Sequence, residues 1–125
     1  MQENDISDRV LDCCFTVHKN LGPGLFESVY EEILAFEMSD IHLNFERQKA
    51  ISLNYGDIKL DVAFRADFIV EKKVIVELKS VEKILPVHKK QLLTYLKITY
   101  CKLGLLINFN TELLRNGIHR VVNKL

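Results

Sequence analysis

Asp67, Glu77 and Lys79 stand in the order D-x9-E-x-K within one short stretch, Arg65 to Lys79. Two facing carboxylates bind a hard cation such as Mg²⁺ or Mn²⁺, which takes oxygen ligands and keeps several of its waters. A cation held this way polarises a phosphoryl group and lowers the pKa of a bound water. Lys79 lies two residues beyond Glu77, so on a strand it leaves from the same face. There it can orient that water or offset charge on a phosphate. Hydrolysis of a phosphodiester needs these functions together: an activated water, neutralised charge and a stabilised leaving oxygen.

The elements that must position this trio read as two strands and a tight turn. Ala66, Phe68 and Val70 alternate on the first arm and Val74, Val76 and Leu78 on the second, giving one wholly apolar face. The other face carries Arg65, Asp67 and Ile69, then Ile75, Glu77 and Lys79. If Glu71-Lys72-Lys73 is a three-residue loop, Asp67 falls directly opposite Glu77, with Cβ atoms roughly 4.5–5.5 Å apart. A loop of two or four residues would move the pair to a diagonal. Like charges directly opposed are destabilising, so the pattern implies either a cation between them or a fully solvated charged face. Ile69 and Ile75 extend that face with bulky apolar groups, as expected of a surface that is partly covered.

Three helices are expected around the hairpin. Residues 7–21 show apolar positions at three- and four-residue spacings, with Ser7 as the cap and Gly22-Pro23-Gly24 as the stop. A second helix is expected from Leu25 to Ser39, with Phe26, Val29, Tyr30, Ile33 and Phe36 or Glu37 tracing one side. Glu27 and Glu31 lie four apart on a common face, and either one can bring a third carboxylate to a metal. Pro86 suits the first turn of a third helix over residues 86–100. On it Gln91 and Tyr95 share a face beside an apolar stripe of Leu92, Leu93 and Leu96, placed to hold a phosphate or a water. Strand-like segments lie in residues 42–55, a turn at Tyr55-Gly56-Asp57, and a further strand at Ile58–Phe64 ahead of the hairpin. Lys102–Phe109 reads as a strand buried on both faces, and Gly117–Val122 as a last short strand or turn.

The 125 residues fit one domain, 1–125, and 48% apolar content suffices for a core. No apolar run approaches the ~20 residues that span a bilayer, and the polar, acidic start does not resemble a signal peptide. Cys13, Cys14 and Cys101 lack zinc-ligand spacing and read as buried free thiols of a cytoplasmic protein. His18 lies near an apolar stripe and reads as a core histidine rather than a ligand. Formal net charge is zero but unevenly spread: residues 1–70 carry 6 Lys/Arg against 13 Asp/Glu, and residues 71–125 carry 11 against 4. Such asymmetry suits a basic surface for a polyanion, or two halves that neutralise each other in the fold.

The run Gly24-Leu25-Phe26-Glu27-Ser28-Val29-Tyr30 fits G-x-x-E-x-x-Y. Together with Leu21-Gly22-Pro23-Gly24, Gln91-Leu92-Leu93-Thr94-Tyr95-Leu96 and Gly104-Leu105-Leu106-Ile107-Asn108-Phe109, it makes the chain resemble the GxxExxY family, placed in the PD-(D/E)XK nuclease superfamily. The resemblance covers about residues 6–123. It implies an α/β (α+β) fold with a restriction-endonuclease-like core, a mixed central sheet of about four to five strands flanked by helices. It further implies that Asp67 and Glu77 bind Mg²⁺ or Mn²⁺, that Lys79 acts in catalysis, and that Glu27 supports the metal. Gln91 and Tyr95 resemble the Q-x-x-x-Y pattern that binds phosphate and metal in the phage-exonuclease-like branch. One departure is Ala66, where the superfamily pattern has proline; it removes no ligand. The function so implied is metal-dependent hydrolysis of nucleic acid, DNA above all. The rivals are a catalytically silent module on the same fold that binds nucleic acid or protein, and a homodimeric structural subunit.

Overall fold

The computed structural model describes residues 1–125. Two helices come first, α1 (Glu3–Leu21) and α2 (Glu27–Asp40), followed by three strands, β1 (Phe45–Tyr55), β2 (Ile58–Val70) and β3 (Val74–Lys79). Helix α3 (Pro86–Thr99) then crosses over to β4 (Leu103–Asn108), and a 3-10 turn at Leu114–Gly117 leads into β5 (Ile118–Val122). The strands form one sheet in the order β1-β2-β3-β4-β5, parallel only between β3 and β4. This is an α+β fold with a mixed five-stranded sheet, consistent with a restriction-endonuclease-like core.

Helices cover both faces of the sheet. On one face α1 and α2 bury Ile6, Val10, Tyr30, Leu34 and Met38 against Phe68, Val70, Val74, Val76 and Leu78. On the other, Leu92 and Leu96 of α3 pack on Ile69, Ile75 and Leu106. At about 1.5–3 kcal/mol for each large side chain taken fully out of water, those two leucines are the main anchor of α3. The anchor is close: a Cβ added at Gly104 would meet the Leu92 side chain at 2.9 Å, so the missing side chain sets how near α3 sits to β4.

Several boundaries differ from the sequence expectation. Helix α1 begins four residues before Ser7, which is buried inside it, and the Asp5 carboxylate accepts the Gln2 N–H that opens the helix (3.2 Å). Helix α2 begins at Glu27 because Leu25 and Phe26 belong to a loop fixed from outside the helix. Its buried stripe is Tyr30, Leu34 and Met38, at four-residue steps, with Ala35; Phe26, Val29, Ile33 and Phe36 face solvent. Residues 58–64 are not a separate strand: nothing between Phe64 and Asp67 breaks extension, and β2 runs through to Val70.

The hairpin register is as expected from a three-residue loop. Val70 pairs with Val74, Ile69 with Ile75 and Phe68 with Val76, across Glu71-Lys72-Lys73. Glu71 and Lys72 turn the corner in left-handed backbone (φ 52° and 59°). One face assignment fails. Ala66 packs with Ile69, Ile75, Leu92 and Leu96, not with Phe68 and Val70. Alternation breaks at Asp67, where the paired residues of β1 and β2 skip Gln48, itself in left-handed backbone (φ 47°). No helix is long and apolar enough to cross a membrane.

Candidate active site

The β2–β3 ladder stops one pair short of Asp67 and Glu77, and the two acids complete it with their side chains. The Asp67 N–H donates to Glu77 Oε2 (3.0 Å), and the Leu78 N–H donates to Asp67 Oδ2 (2.8 Å). Each carboxylate thus holds a backbone amide of the opposite strand, and the strands part around them. Gln48 Nε2 donates to Asp67 Oδ1 (3.1 Å) and to Glu31 Oε1 (2.5 Å).

Beside the pair lies a cavity of about 190 Å³ lined by Glu27, Arg65, Asp67, Glu77, Lys79, His88, Gln91, Leu92, Tyr95 and Leu106. Of the seven candidate residues, Glu27, Asp67, Glu77, Lys79, Gln91 and Tyr95 line this one cavity, from β2, β3, α2 and α3, and Glu31 does not. A larger open depression of about 640 Å³ runs along Phe45, Glu46, Ile69 and Lys72. Its Glu46, Lys49 and Lys72 side chains are exposed, so it offers little of the desolvation that gives a carboxylate a grip on a cation.

Glu27 and Glu31 part company. Glu31 accepts from Arg47 Nη2 (2.8 Å) as well as from Gln48, and Arg47 also reaches Glu32 (2.7 Å). Glu27 has no such partner and lines the cavity. Its position depends on the loop before it, where Gly22 and Gly24 have φ of 72° and 97°. Tyr30 closes that loop: its hydroxyl donates to Gly22 O (2.6 Å) and accepts the Leu25 N–H (3.2 Å), while its ring stacks on Phe109 (4.5 Å between centroids). Ser80 Oγ, one residue past Lys79, donates to Leu25 O (2.5 Å) and ties the loop to the end of β3.

Burial pushes the Glu77 carboxyl up to about 8, and the charge of Asp67 beside it adds to the rise. The same causes hold Tyr95 above the ordinary phenol range: burial first, then Glu77 and Asp67. Tyr95 is fixed by a stack on Phe64 with centroids 3.7 Å apart. The chain's three ion pairs are Arg47–Glu31, Arg47–Glu32 and Lys49–Glu46, so neither Asp67 nor Glu77 is held in a close ion pair, and the charge of Lys79 only partly offsets the rise at Glu77. Two facing carboxylates with lone pairs to spare, the Glu77 group desolvated and neither in a close ion pair, fit a divalent cation. The acids do not form a cluster of three: no group of three His, Cys, Asp or Glu side chains is close enough to hold a metal on its own. Asp67 and Glu77 would be the ligands, and Glu27, exposed, lines the same cavity.

Arg65 and His88 also line the cavity, though no role is read for them from the sequence. Arg65 was legible as a neighbour of Asp67. His88 lies three residues before Gln91 and seven before Tyr95, which places it on the same helical face. Elsewhere, His18 Nε2 bonds the Thr111 carbonyl (2.7 Å), consistent with a structural histidine. Cys13, Cys14 and Cys101 are buried and unpaired, with burial raising both Cys13 and Cys14. Asn108, also buried, has its side chain bonded to both backbone groups of Val81 (3.1 and 2.9 Å) and pins the segment after β3.

A mixed sheet with helices on both faces and an acid pair where two strands part defines a nuclease-like protein class. The family model for the PD-(D/E)XK nuclease superfamily matches residues 4–121, and the chain belongs to that superfamily. No curated protein and no solved structure matches it.

Proposed function

We propose that the protein is a divalent-metal-dependent nuclease that hydrolyses phosphodiester bonds of nucleic acid, most readily DNA, and that it is a GxxExxY member of its superfamily acting in the cytoplasm. What carries this is the convergence of Asp67, Glu77 and Lys79 on one cavity, with Glu77 desolvated and neither acid held in a close ion pair. In the reaction a water oxygen bonds to phosphorus and the bond from phosphorus to the leaving oxygen breaks; the water gives up a proton to solvent and the departing oxygen takes one from solvent to leave as a hydroxyl. Asp67 and Glu77 would hold Mg²⁺ or Mn²⁺, which would supply positive charge and acidify water there. Lys79 orients the attacking water and offsets phosphoryl charge. Gln91 and Tyr95 position the phosphate from α3, and Glu27, from α2, would support the metal from the same cavity. Arg65 in the cavity wall, with exposed Lys83, Lys89 and Lys90 nearby in sequence to its lining residues, provides charge for flanking phosphates.

The test is cleavage of mixed single- and double-stranded DNA and RNA with Mn²⁺, comparing wild type with Lys79→Ala, alongside calorimetric Mn²⁺ titration of wild type and Asp67→Asn. Mn²⁺ binding lost in Asp67→Asn and cleavage lost in Lys79→Ala are expected. Equal cleavage in wild type and Lys79→Ala would end the catalytic assignment. Nucleic-acid binding that is unaffected by metal and produces no cleavage would establish the silent binding module instead.

A further inference from the structure

His88 lines the cavity and at the same time caps α3. Its Nδ1 accepts the Leu85 N–H (3.0 Å), one of the amides that a helix start leaves without an intrahelical partner. An amide can only donate, so Nδ1 carries no proton and the neutral ring must carry it on Nε2. The cap thus fixes both the tautomer and the orientation of the ring. Nε2–H makes no hydrogen bond within the chain, and the ring it belongs to walls the space beside Asp67 and Glu77. Gln91 and Tyr95 continue the same stripe of α3, with Tyr95 locked by Phe64.

We propose that His88 is a fixed, neutral hydrogen-bond donor to a non-bridging oxygen of the substrate phosphate, acting from the α3 side through Nε2–H. This rests on the nuclease reading above and adds a substrate contact to it. A donor locked before substrate arrives costs no reorganisation as charge builds on the phosphoryl oxygens, so it acts mainly on kcat. Its direction is set by a helix cap that serves stability, which links the two functions in one ring.

That linkage can be cut in two ways. In His88→Asn the side-chain oxygen replaces Nδ1 and keeps the cap, but nothing reaches the place of Nε2. In His88→Gln the side-chain amide reaches the place of Nε2 and the cap is lost. Expected for His88→Asn is a Tm within about 2 °C of wild type with kcat lowered roughly 10- to 100-fold and KM little changed. Expected for His88→Gln is a Tm lower by a few degrees with kcat within about threefold of wild type. Two readouts do not need turnover: the imidazole ¹⁵N shifts of His88 in the metal-free protein, and the anisotropy of a labelled oligonucleotide in EDTA. The shifts should report a proton on Nε2 only, and the oligonucleotide should bind wild type, His88→Asn and His88→Gln within about twofold of one another, because the contact strengthens only as charge builds. Unchanged kcat in His88→Asn while wild type cleaves would overturn this inference alone, as would a proton on Nδ1. Wild type that neither binds nor cleaves would overturn the nuclease reading and this one with it.

Discussion

Replacing Glu77 by Gln separates the stability of this fold from the function proposed for it. The Glu77 carboxyl titrates near 8 in the folded chain against 4.5 for an ordinary glutamate, because it is desolvated and faces Asp67. Its folded pKa is raised, so the stability it contributes is complete below about pH 4.5 and is lost as pH rises through about 8. At about 1.4 kcal/mol per pKa unit, the full effect approaches 5 kcal/mol. Relaxation and sharing of one proton with Asp67 reduce it, and about 2–3 kcal/mol is the expected loss between pH 5 and pH 8.5. Gln keeps a carbonyl oxygen to accept the Asp67 N–H now bound by Oε2 (3.0 Å) and carries no charge. In EDTA, urea unfolding should therefore show wild type and Glu77→Gln nearly equal at pH 5. The variant should be more stable by about 2–3 kcal/mol at pH 8.5, worth roughly 10 °C in Tm. Mn²⁺ at about one hundred times its Kd should close that gap. Ligand at one hundred times its Kd stabilises wild type by about 2.7 kcal/mol, and the variant should gain almost nothing. Parallel pH–stability curves for the two proteins would refute the claim that Glu77 is desolvated; an intact Mn²⁺ shift in the variant would refute its role as a ligand.

Other expected outcomes follow from single contacts. Tyr30→Phe removes the hydroxyl that holds Gly22 O and Leu25 N, and should cost about 1–2 kcal/mol in urea unfolding while lowering cleavage through a looser Glu27. Glu27→Gln should weaken Mn²⁺ binding in calorimetry roughly tenfold, in the manner of outer-shell ligands. Glu31→Gln, whose carboxylate is engaged with Arg47 and Gln48, should leave Mn²⁺ binding within about twofold and instead lower Tm slightly. Gly104→Ala presses a methyl against Leu92 and should cost about 1–3 kcal/mol in unfolding, partly recovered in Gly104→Ala/Leu92→Ala. Affinity for duplex DNA should fall by about 0.9 log unit per log unit of salt for each phosphate contacted, and Arg65→Ala should reduce that slope by about one contact.

The two arms of the central hairpin were legible from residue order, and its register up to the length of the loop. Alternation has a period of two, so a three-residue loop would put Asp67 opposite Glu77 and a loop of two or four would not; the folded chain has the three-residue loop. Helical periodicity likewise put Gln91 and Tyr95 on one face, and Gly22-Pro23-Gly24 and Pro86 marked where helices stop and start. These features depend on neighbours within a few residues, where backbone geometry leaves few choices. The tertiary structure decided the rest. Sequence could not say which stripe of α2 is buried, because Phe26, Val29, Ile33 and Phe36 are as apolar as Tyr30, Leu34 and Met38; docking on the sheet chose between them. Nor could it distinguish Glu27 from Glu31, since Arg47 and Gln48, which occupy Glu31, come from a strand sixteen and seventeen residues away. The break in alternation at Ala66 and the cap that fixes His88 were likewise set by packing. The charge state of Glu77 is the clearest case: desolvation sums the atoms that surround a group, and here those atoms come from β2, β3, β4 and α3, which only the folded chain brings together.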